Sequence, residues 1–132
     1  MQNGDPQFDR SRFDHVGIVT TDPKPGESWV EETKVWVTSP RAHPYNVEWL
    51  RFEPDSPVTG PLRTEPHVAY RVENLQEALK GEEVIFGPFD PGGFGEVAFI
   101  HKDGVVIEYM QYSDLSHWFG QPNPAGFEFA PF

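Results

Sequence analysis

The sequence contains no cysteine, and basic residues are in the minority among its charged residues. Without a thiol, disulfide scaffolds, cysteine-based zinc fingers and catalysis by a thiolate are all excluded. Ten Lys and Arg residues stand against 21 Asp and Glu residues, which gives a formal net charge of −11 and a pI near 4.7. Because nucleic acids and anionic membrane surfaces attract basic proteins, this charge argues against both as partners.

Long hydrophobic runs are absent as well. No stretch approaches the roughly 18 apolar residues of a membrane span, and the polar segment 1–12 has no apolar core of a signal peptide. We therefore expect a cytoplasmic location. The 132 residues are enough for one domain, or for two small repeats that share one core.

Glycine, proline and aromatic residues are plentiful instead. The 12 Gly and 14 Pro residues divide the chain into short elements and disfavour a helical bundle. The 11 Phe, 4 Tyr and 4 Trp residues supply large side chains for a core. Sequence pattern predicts strands over 13–20, 34–38, 45–53, 67–72, 83–86, 96–100 and 105–112, with a helix over 73–80, one or two helical turns within 26–32 and a proline-broken connection over 55–66.

The two halves of the chain repeat each other. His15-Val16-Gly17-Ile18 matches His67-Val68-Ala69-Tyr70, each with histidine, valine, a small residue and a large apolar residue. Segments 47–52 (VEWLRF) and 107–112 (IEYMQY) share a second pattern, in which a glutamate follows an aliphatic residue and precedes an aromatic one. A unit that occurs twice predicts two similar modules packed about a pseudo-two-fold axis.

Each module places one histidine and one glutamate on a strand face that is otherwise apolar or small. Because side chains alternate along a strand, this holds for His15, Glu48, His67 and Glu108. Any one of them alone is ordinarily a structural histidine or a solvent-facing glutamate. A buried carboxylate without a partner costs several kcal/mol, so the matched quartet favours a shared divalent cation. Gly17 and Ala69, two residues after each histidine, are expected to leave room above the ion.

At these residues the sequence resembles the vicinal oxygen chelate superfamily, which includes glyoxalase I, bleomycin-resistance proteins and extradiol dioxygenases. The segments that carry the resemblance are FDHVGIVT, PHVAYRVENLQEAL and VAFIHKDGVVIEYMQY, within residues 13–112. It implies an α+β fold of two βαβββ modules, 13–54 and 67–112, whose mostly antiparallel sheet curls around a central cleft. The helix of the first module is expected to be short or missing, segment 1–12 to be a flexible lead-in, and 113–132 to be a tail.

The resemblance places His15, Glu48, His67 and Glu108 on the ligand positions of one divalent ion, which we leave open among Ni, Co, Mn, Zn and Fe. The leading hypothesis is a lyase or isomerase in which the ion binds vicinal oxygens of a small substrate and stabilises an enediolate. Glu48 or Glu108 would then also move a proton.

Two other functions stay open from the sequence. His15, His67 and Glu108 form a possible two-histidine, one-carboxylate triad of a non-haem Fe(II) ring-cleaving dioxygenase. Alternatively, the groove holds a ligand without catalysis. In all three cases the expected partner is a small molecule, and the short first module together with an aromatic tail (Trp118, Phe119, Phe127, Phe129, Phe132) predicts a homodimer.

Other polar residues carry weaker predictions. The segment 90–95 (DPGGFG) is glycine-rich but precedes no helix, so we interpret it as the rim or lid of a pocket rather than a phosphate loop. Three arginines could recognise an anion or offset nearby acids (Arg41, Arg51 and Arg71). His101 is predicted to lie in a solvated turn, and His43 and His117 in a loop and the tail.

Overall fold

The computed structural model describes residues 10–115 and the short pairs 117–118 and 121–122. Its main element is an eight-stranded sheet, curled into a half-barrel, with few helices. The strands are β1 (Phe13–Val19), β2 (Ser28–Val30), β3 (Val35–Val37), β4 (Val47–Phe52), β5 (His67–Arg71), β6 (Val84–Phe89), β7 (Gly95–Lys102) and β8 (Val105–Tyr112). Two short helices, α1 (Pro61–Thr64) and α2 (Leu75–Leu79), accompany them, and β9 (His117–Trp118) pairs with β10 (Gln121–Pro122). The predicted α+β class is confirmed.

The sheet is built from two equivalent halves. Its strand order is β2-β3-β4-β1-β5-β8-β7-β6, so the first four strands and the last four have the same arrangement about the centre. In each half the first and last strands run parallel, as β1 beside β4 and β5 beside β8, while the other neighbours are antiparallel. The two halves join through the antiparallel pair β1 and β5, where Val16 lies opposite Val68. The repeat in the sequence is therefore a repeat in the fold.

Because side chains alternate along a strand, the second half of the sheet packs one set of residues on its concave face and another on its convex face. On the concave face, Val106 and Met110 of β8 pack with Val97 and Phe99 of β7. On the convex face, Tyr109, Ala98 and Ile100 pack beneath Leu75 and Ala78 of α2. The side chain of Gln111 accepts a hydrogen bond from the Leu75 amide at 2.6 Å, and Asn74 caps the helix by accepting from the Glu77 amide.

The first half has no helix between β1 and β2. Residues 26–32, where one or two helical turns were predicted, contain strand β2 instead, because Trp29 and Val30 pair with Trp36 and Val35 of β3. The convex face of this half carries tryptophan side chains where the second half carries α2. Trp29 and Trp36 lie with ring centroids 5.0 Å apart, and the Arg51 guanidinium lies 5.7 Å from the Trp36 ring.

The connection between the halves also differs from its prediction. Segment 55–66 was expected to be a proline-broken connection, yet Pro61 begins the short helix α1, whose Leu62 is buried. A proline at the first helical position loses no hydrogen bond, since that amide has no partner within the helix. Among the described residues, the longest helix has five residues, and none could cross a membrane. Most of the predicted lead-in and tail lies outside the described residues.

Candidate metal centre

The centre of the sheet brings His15, Glu48, His67 and Glu108 together. Gly17 of β1 lies opposite His67 on one side and beside Glu48 of β4 on the other. The symmetric position, Ala69 of β5, lies opposite His15 and beside Glu108 of β8. The pairing of the four central strands therefore brings side chains from both halves of the chain into one cluster.

The four side chains are buried and their polar atoms converge. None is more than 5% exposed, and one ligand atom from each lies within 4.8 Å of all the others. His15 Nε2 lies 3.3 Å from Glu48 Oε1 and 3.3 Å from Glu108 Oε1. His67 Nε2 lies 3.5 and 3.2 Å from the same two oxygens. Each carboxylate oxygen thus stands between two imidazole nitrogens.

These separations fit a metal ion. Nitrogen and oxygen ligands bind Zn²⁺ at about 2.0–2.2 Å, so neighbouring ligand atoms lie about 2.8–3.6 Å apart for angles of about 90° to 110° at the ion. The observed 3.2–3.5 Å falls in that interval, whereas a charge-assisted hydrogen bond is usually shorter, at about 2.7–2.9 Å. Two imidazoles and two carboxylates suit Zn, Fe, Mn, Ni or Co. The cluster can hold a metal ion whose identity the residues leave open.

The charges of the cluster explain its pKa shifts in the metal-free protein. Burial favours the neutral ring of His15, but attraction by Glu48 and hydrogen bonds to Asp14, Glu108 and Glu48 outweigh it and raise its pKa well above 6.5. The pKa of His67 is also raised, since contacts with Glu108 and Glu48 exceed the effect of burial. Burial opposes ionisation of Glu48, yet both histidines hold its pKa well below 4.5. Protons on His15 and His67 supply two positive charges beside the glutamates in the metal-free protein, and a divalent ion would supply two in their place.

A second layer of buried polar groups fixes the His15 ring. Asp14 Oδ1 accepts a hydrogen bond from His15 Nδ1 at 2.6 Å, which leaves Nε2 to face the two glutamates. The other Asp14 oxygen accepts from Arg41 Nη2 and from the Tyr112 hydroxyl, both at 2.8 Å. Burial disfavours the charge of Asp14, but His15 and Arg41 outweigh burial and keep its pKa below 3.8. Such partners commonly orient metal-binding histidines.

Sequence reasoning missed Asp14 because strict strand alternation puts it on the face opposite His15. The pairing of β1 with β5 is irregular here: Phe13 lies opposite Tyr70 and His15 opposite Ala69, so two residues advance on β1 for one on β5. This is the geometry of a β-bulge, which turns a side chain from its expected face. Asp14 and His15 are consequently both buried. The only signal in the sequence was an acidic residue next to a histidine.

The space next to Gly17 has a different use from the one predicted. A Cβ atom at Gly17 would overlap ring atom Cε1 of His67. The missing side chain therefore makes room for the imidazole of the opposite strand, not for open space above an ion. His67 is further held by an edge-to-face contact with Phe99, with ring centroids 5.3 Å apart.

An apolar cleft of about 470 Å³, its open mouth included, leads to the cluster. Glu48, His67 and Glu108 line its base, whereas His15 is fully buried behind them. Of the sixteen residues that line the cleft, twelve are apolar, and Thr33 is the one other polar residue among those sixteen. Pro91 and Phe94 of the glycine-rich segment 90–95 are among the lining residues, so the segment forms part of the wall of the cleft.

The remaining candidates lie away from the cleft. Arg41 belongs to the Asp14 network, Arg51 pairs with Glu27 at 2.7 Å, and Arg71 donates to the Ser11 carbonyl. Arg41 and Arg51 thus offset acids, the second of the two roles considered, whereas Arg71 bonds to the backbone. His101 lies within strand β7 rather than in a turn, because that strand continues to Lys102. His43 accepts a hydrogen bond from the Tyr45 amide in an exposed position, and the side chain of His117 lies outside the described residues.

Two solved structures have a fold similar to that of this chain. The hypothetical protein BH1468 from Bacillus halodurans C-125 matches with a TM-score of 0.60 and 21% identity, over 80% of this chain and 96% of that one. Methylmalonyl-CoA epimerase from Mycobacterium tuberculosis matches with a TM-score of 0.51 and 17% identity, over 76% of this chain and 87% of that one. The chain therefore shares its fold with these two proteins. No protein-family model and no curated protein matches the sequence, so these likenesses show the fold alone.

Proposed function

We propose that the protein is a metal-dependent lyase or isomerase, glyoxalase- or epimerase-like, that transfers a proton on a small oxygenated substrate. The observation that carries the proposal is the buried quartet at the base of an apolar cleft, with His15, Glu48, His67 and Glu108 converging within 4.8 Å. The structural likeness to an epimerase supports the same class of reaction. A cytoplasmic location remains a prediction.

The histidines and the glutamates of the quartet have different parts in this proposal. A bound divalent ion would act as a Lewis acid towards substrate oxygens. His15 and His67 would hold it through Nε2, and Asp14 keeps the proton of the His15 ring on Nδ1. Glu48 and Glu108 line the cleft, so either can take a proton from a substrate carbon at a carboxylate oxygen. The apolar walls keep water from competing for that proton.

The number of carboxylates favours this proposal over a dioxygenase. A two-histidine, one-carboxylate site needs one glutamate, yet the Oε1 atoms of Glu48 and Glu108 lie at nearly the same distances from the two histidines. Four ligands leave fewer positions for oxygen and substrate than three. Two carboxylates also allow one to hold the ion while the other works as a base.

The test uses hydrogen exchange, because it needs no knowledge of the natural substrate. Metal-loaded protein is incubated in deuterated water with 2-oxo thiohemiacetals, 2-hydroxy ketones and 2-methyl acyl thioesters, and exchange at the α-carbon is followed by NMR. We expect at least one compound to exchange. Glu108→Gln should keep much of the metal and lose at least about a hundredfold in rate, since it retains one oxygen ligand without a basic carboxylate.

His67→Ala is the companion variant, and it should lose the metal itself. Tyr45→Phe, at a residue 80% exposed and outside the cleft lining, is the control and should exchange like the parent protein. If no compound exchanges, the proton-transfer proposal fails; oxygen consumption by iron-loaded protein would point to the dioxygenase instead. If Glu108→Gln exchanges as fast as the parent, Glu108 is not the base, and Glu48→Gln tests the other carboxylate.

A further inference from the structure

The walls of the cleft restrict the charge of whatever enters it. Besides the three candidate metal ligands, Thr33 is the one polar residue among the sixteen that line it. Val37, Leu50, Leu62, Phe99 and Met110 are among the twelve apolar ones, and all five are buried. A charged group placed against such walls loses its hydration without gaining a partner, which costs several kcal/mol.

No lysine or arginine side chain lines the cleft. All ten Lys and Arg residues of the sequence lie between Arg10 and Lys102, within the described part of the chain, and none of them lines the cavity. The Arg63 guanidinium lies 5.4 Å from the ring centroid of a lining residue, Phe52, but it donates hydrogen bonds to the backbone carbonyls of Glu53, Ser56 and Val58.

Other cations are held by acids outside the cleft. Lys34 Nζ lies 2.8 Å from Asp55 Oδ2, and Arg51 Nη2 lies 2.7 Å from Glu27 Oε1. Lys102 Nζ lies 3.0 Å from Glu82 Oε2. Arg41 is paired with Asp14 at 2.8 Å, behind His15. The formal net charge of −11 on the whole chain also disfavours the approach of a phosphorylated group.

The charge at the base of the cleft is already balanced when an ion is bound. Two carboxylates, Glu48 and Glu108, offset a divalent cation, and Arg41 offsets Asp14. A substrate that chelates through neutral oxygens, or through one that becomes negative during the reaction, adds at most one negative charge. A further carboxylate or phosphate would add charge that nothing in the lining neutralises.

We propose that the substrate pairs two neighbouring oxygen donors with an aromatic or branched aliphatic substituent, and that it carries no carboxylate or phosphate beyond the chelating oxygens. This inference rests on the proposed function, because it takes the ion to be the point of attachment. It distinguishes the site from one that acts on carboxylated thioesters with a phosphorylated tail. The apolar substituent packs against lining residues that include Leu62 and Phe99.

Three hydroxamates that share one chelating group test this inference. Their affinities for the metal-loaded full chain are measured by calorimetry: acetohydroxamate, benzohydroxamate, and succinate monohydroxamate, which bears an extra carboxylate. We expect benzohydroxamate to bind at least about tenfold more tightly than acetohydroxamate, because its ring buries additional apolar surface. Succinate monohydroxamate should bind no more tightly than acetohydroxamate.

Two leucine variants test where the phenyl ring of benzohydroxamate binds. Leu62→Ala removes a lining side chain on α1 and should lower benzohydroxamate affinity about three- to tenfold, with acetohydroxamate affinity unchanged. Leu75→Ala, at an equally buried leucine of α2 on the other face of the sheet, is the matched control and should change neither affinity. The ratio of the two affinities is the readout, so a general loss of stability does not imitate the effect.

The outcomes separate the two proposals. If succinate monohydroxamate binds as tightly as benzohydroxamate, or if all three bind equally, the substrate class is wrong while chelation at the ion stands. If none of the three binds to protein that holds its metal, chelation fails, and the proposed function falls together with the substrate class.

Discussion

Asp14 connects the metal ligands to the buried charges behind them. Its two oxygens join His15 on one side with Arg41 and Tyr112 on the other. Asp14→Asn removes the charge that orients the imidazole, so we expect metal affinity to fall about 10- to 100-fold. The variant should also be less stable by about 3–5 kcal/mol, because Arg41 is left buried without its carboxylate. Calorimetric titration and thermal unfolding measure the two effects.

Two further variants separate orientation from charge. Tyr112→Phe removes one hydrogen bond to Asp14 and keeps the charged pair, so it should weaken metal binding by less than Asp14→Asn. Asp55→Asn removes one negative charge from an exposed pair with Lys34 and should leave metal binding as it is. Equal metal affinity in Asp14→Asn and the parent protein would show that the His15 orientation does not depend on this network.

Acidification should release the ion at a higher pH than ordinary histidines would suggest. From the usual histidine pKa of about 6.5 alone, loss of affinity would be expected below about pH 6. In the metal-free protein the pKa values of His15 and His67 are both raised, so protons compete with the ion already above pH 6.5. We expect affinity to fall up to about 100-fold per pH unit in that range, since up to two protons are displaced. Titrations between pH 6 and 9 in two buffers measure the slope and the protons released.

The same groups give the metal-free protein a distinct stability profile. A raised histidine pKa contributes stability that is full below pH 6.5 and is lost as the pH rises through the folded-state value. The lowered pKa of Glu48 contributes stability above pH 4.5 that is lost as the pH falls. We therefore expect the metal-free Tm to be highest between about pH 4.5 and 6.5. The Tm of metal-saturated protein should instead not fall as the pH rises above 6.5, because its metal-bound histidines hold no proton to lose, and parallel curves for the two forms would contradict a site built on these histidines.

At the scale of the elements, the antiparallel pair β1 and β5 determines where the imidazoles lie. Gly17 stands opposite His67, whose ring fills the space that a side chain at Gly17 would need. Gly17→Ala should therefore displace the His67 ring and lower metal affinity at least about tenfold. Val16→Ala, on the other face of the same strand, is the control: it should cost some stability and leave metal affinity unchanged. Tight metal binding by Gly17→Ala, measured by calorimetry, would show that the strands shift enough to accommodate a methyl group.

Strand β2 and the bulge in β1 are two features that the local sequence pattern does not predict. Residues 26–32 contain only three strand residues, and their conformation follows from pairing with β3, which a short window of sequence does not reveal. The bulge at Asp14 depends on the register between β1 and β5. By contrast, β8 was predicted with its observed limits, because aliphatic and aromatic residues continue over 105–112 after a turn at Gly104.

At the scale of the whole molecule, the two halves differ in what covers their convex faces. Helix α2 covers the second half, whereas Trp29, Trp36 and Arg51 lie on the first. Trp29 is 36% exposed on the edge strand β2. We expect a homodimer, because a partner would remove this aromatic surface from water. Light scattering should give twice 15.0 kDa at micromolar concentrations, and Trp29→Lys should shift the molecule towards the monomer. A single 15.0 kDa species over that range would contradict the dimer.

The repeat and the four residues of the cluster follow from local sequence pattern. The pattern around His15 recurs at His67, and the pattern around Glu48 recurs at Glu108, because each module must place one imidazole and one carboxylate on an inward face. Residue type and strand period are local properties, so they can be read from a single chain. The contacts of Asp14 follow instead from the way the strands are arranged. The Asp14–Arg41 pair spans 27 residues and the Asp14–Tyr112 hydrogen bond spans 98. Contacts over such separations depend on strand order and on a bulge in register, which local pattern does not specify.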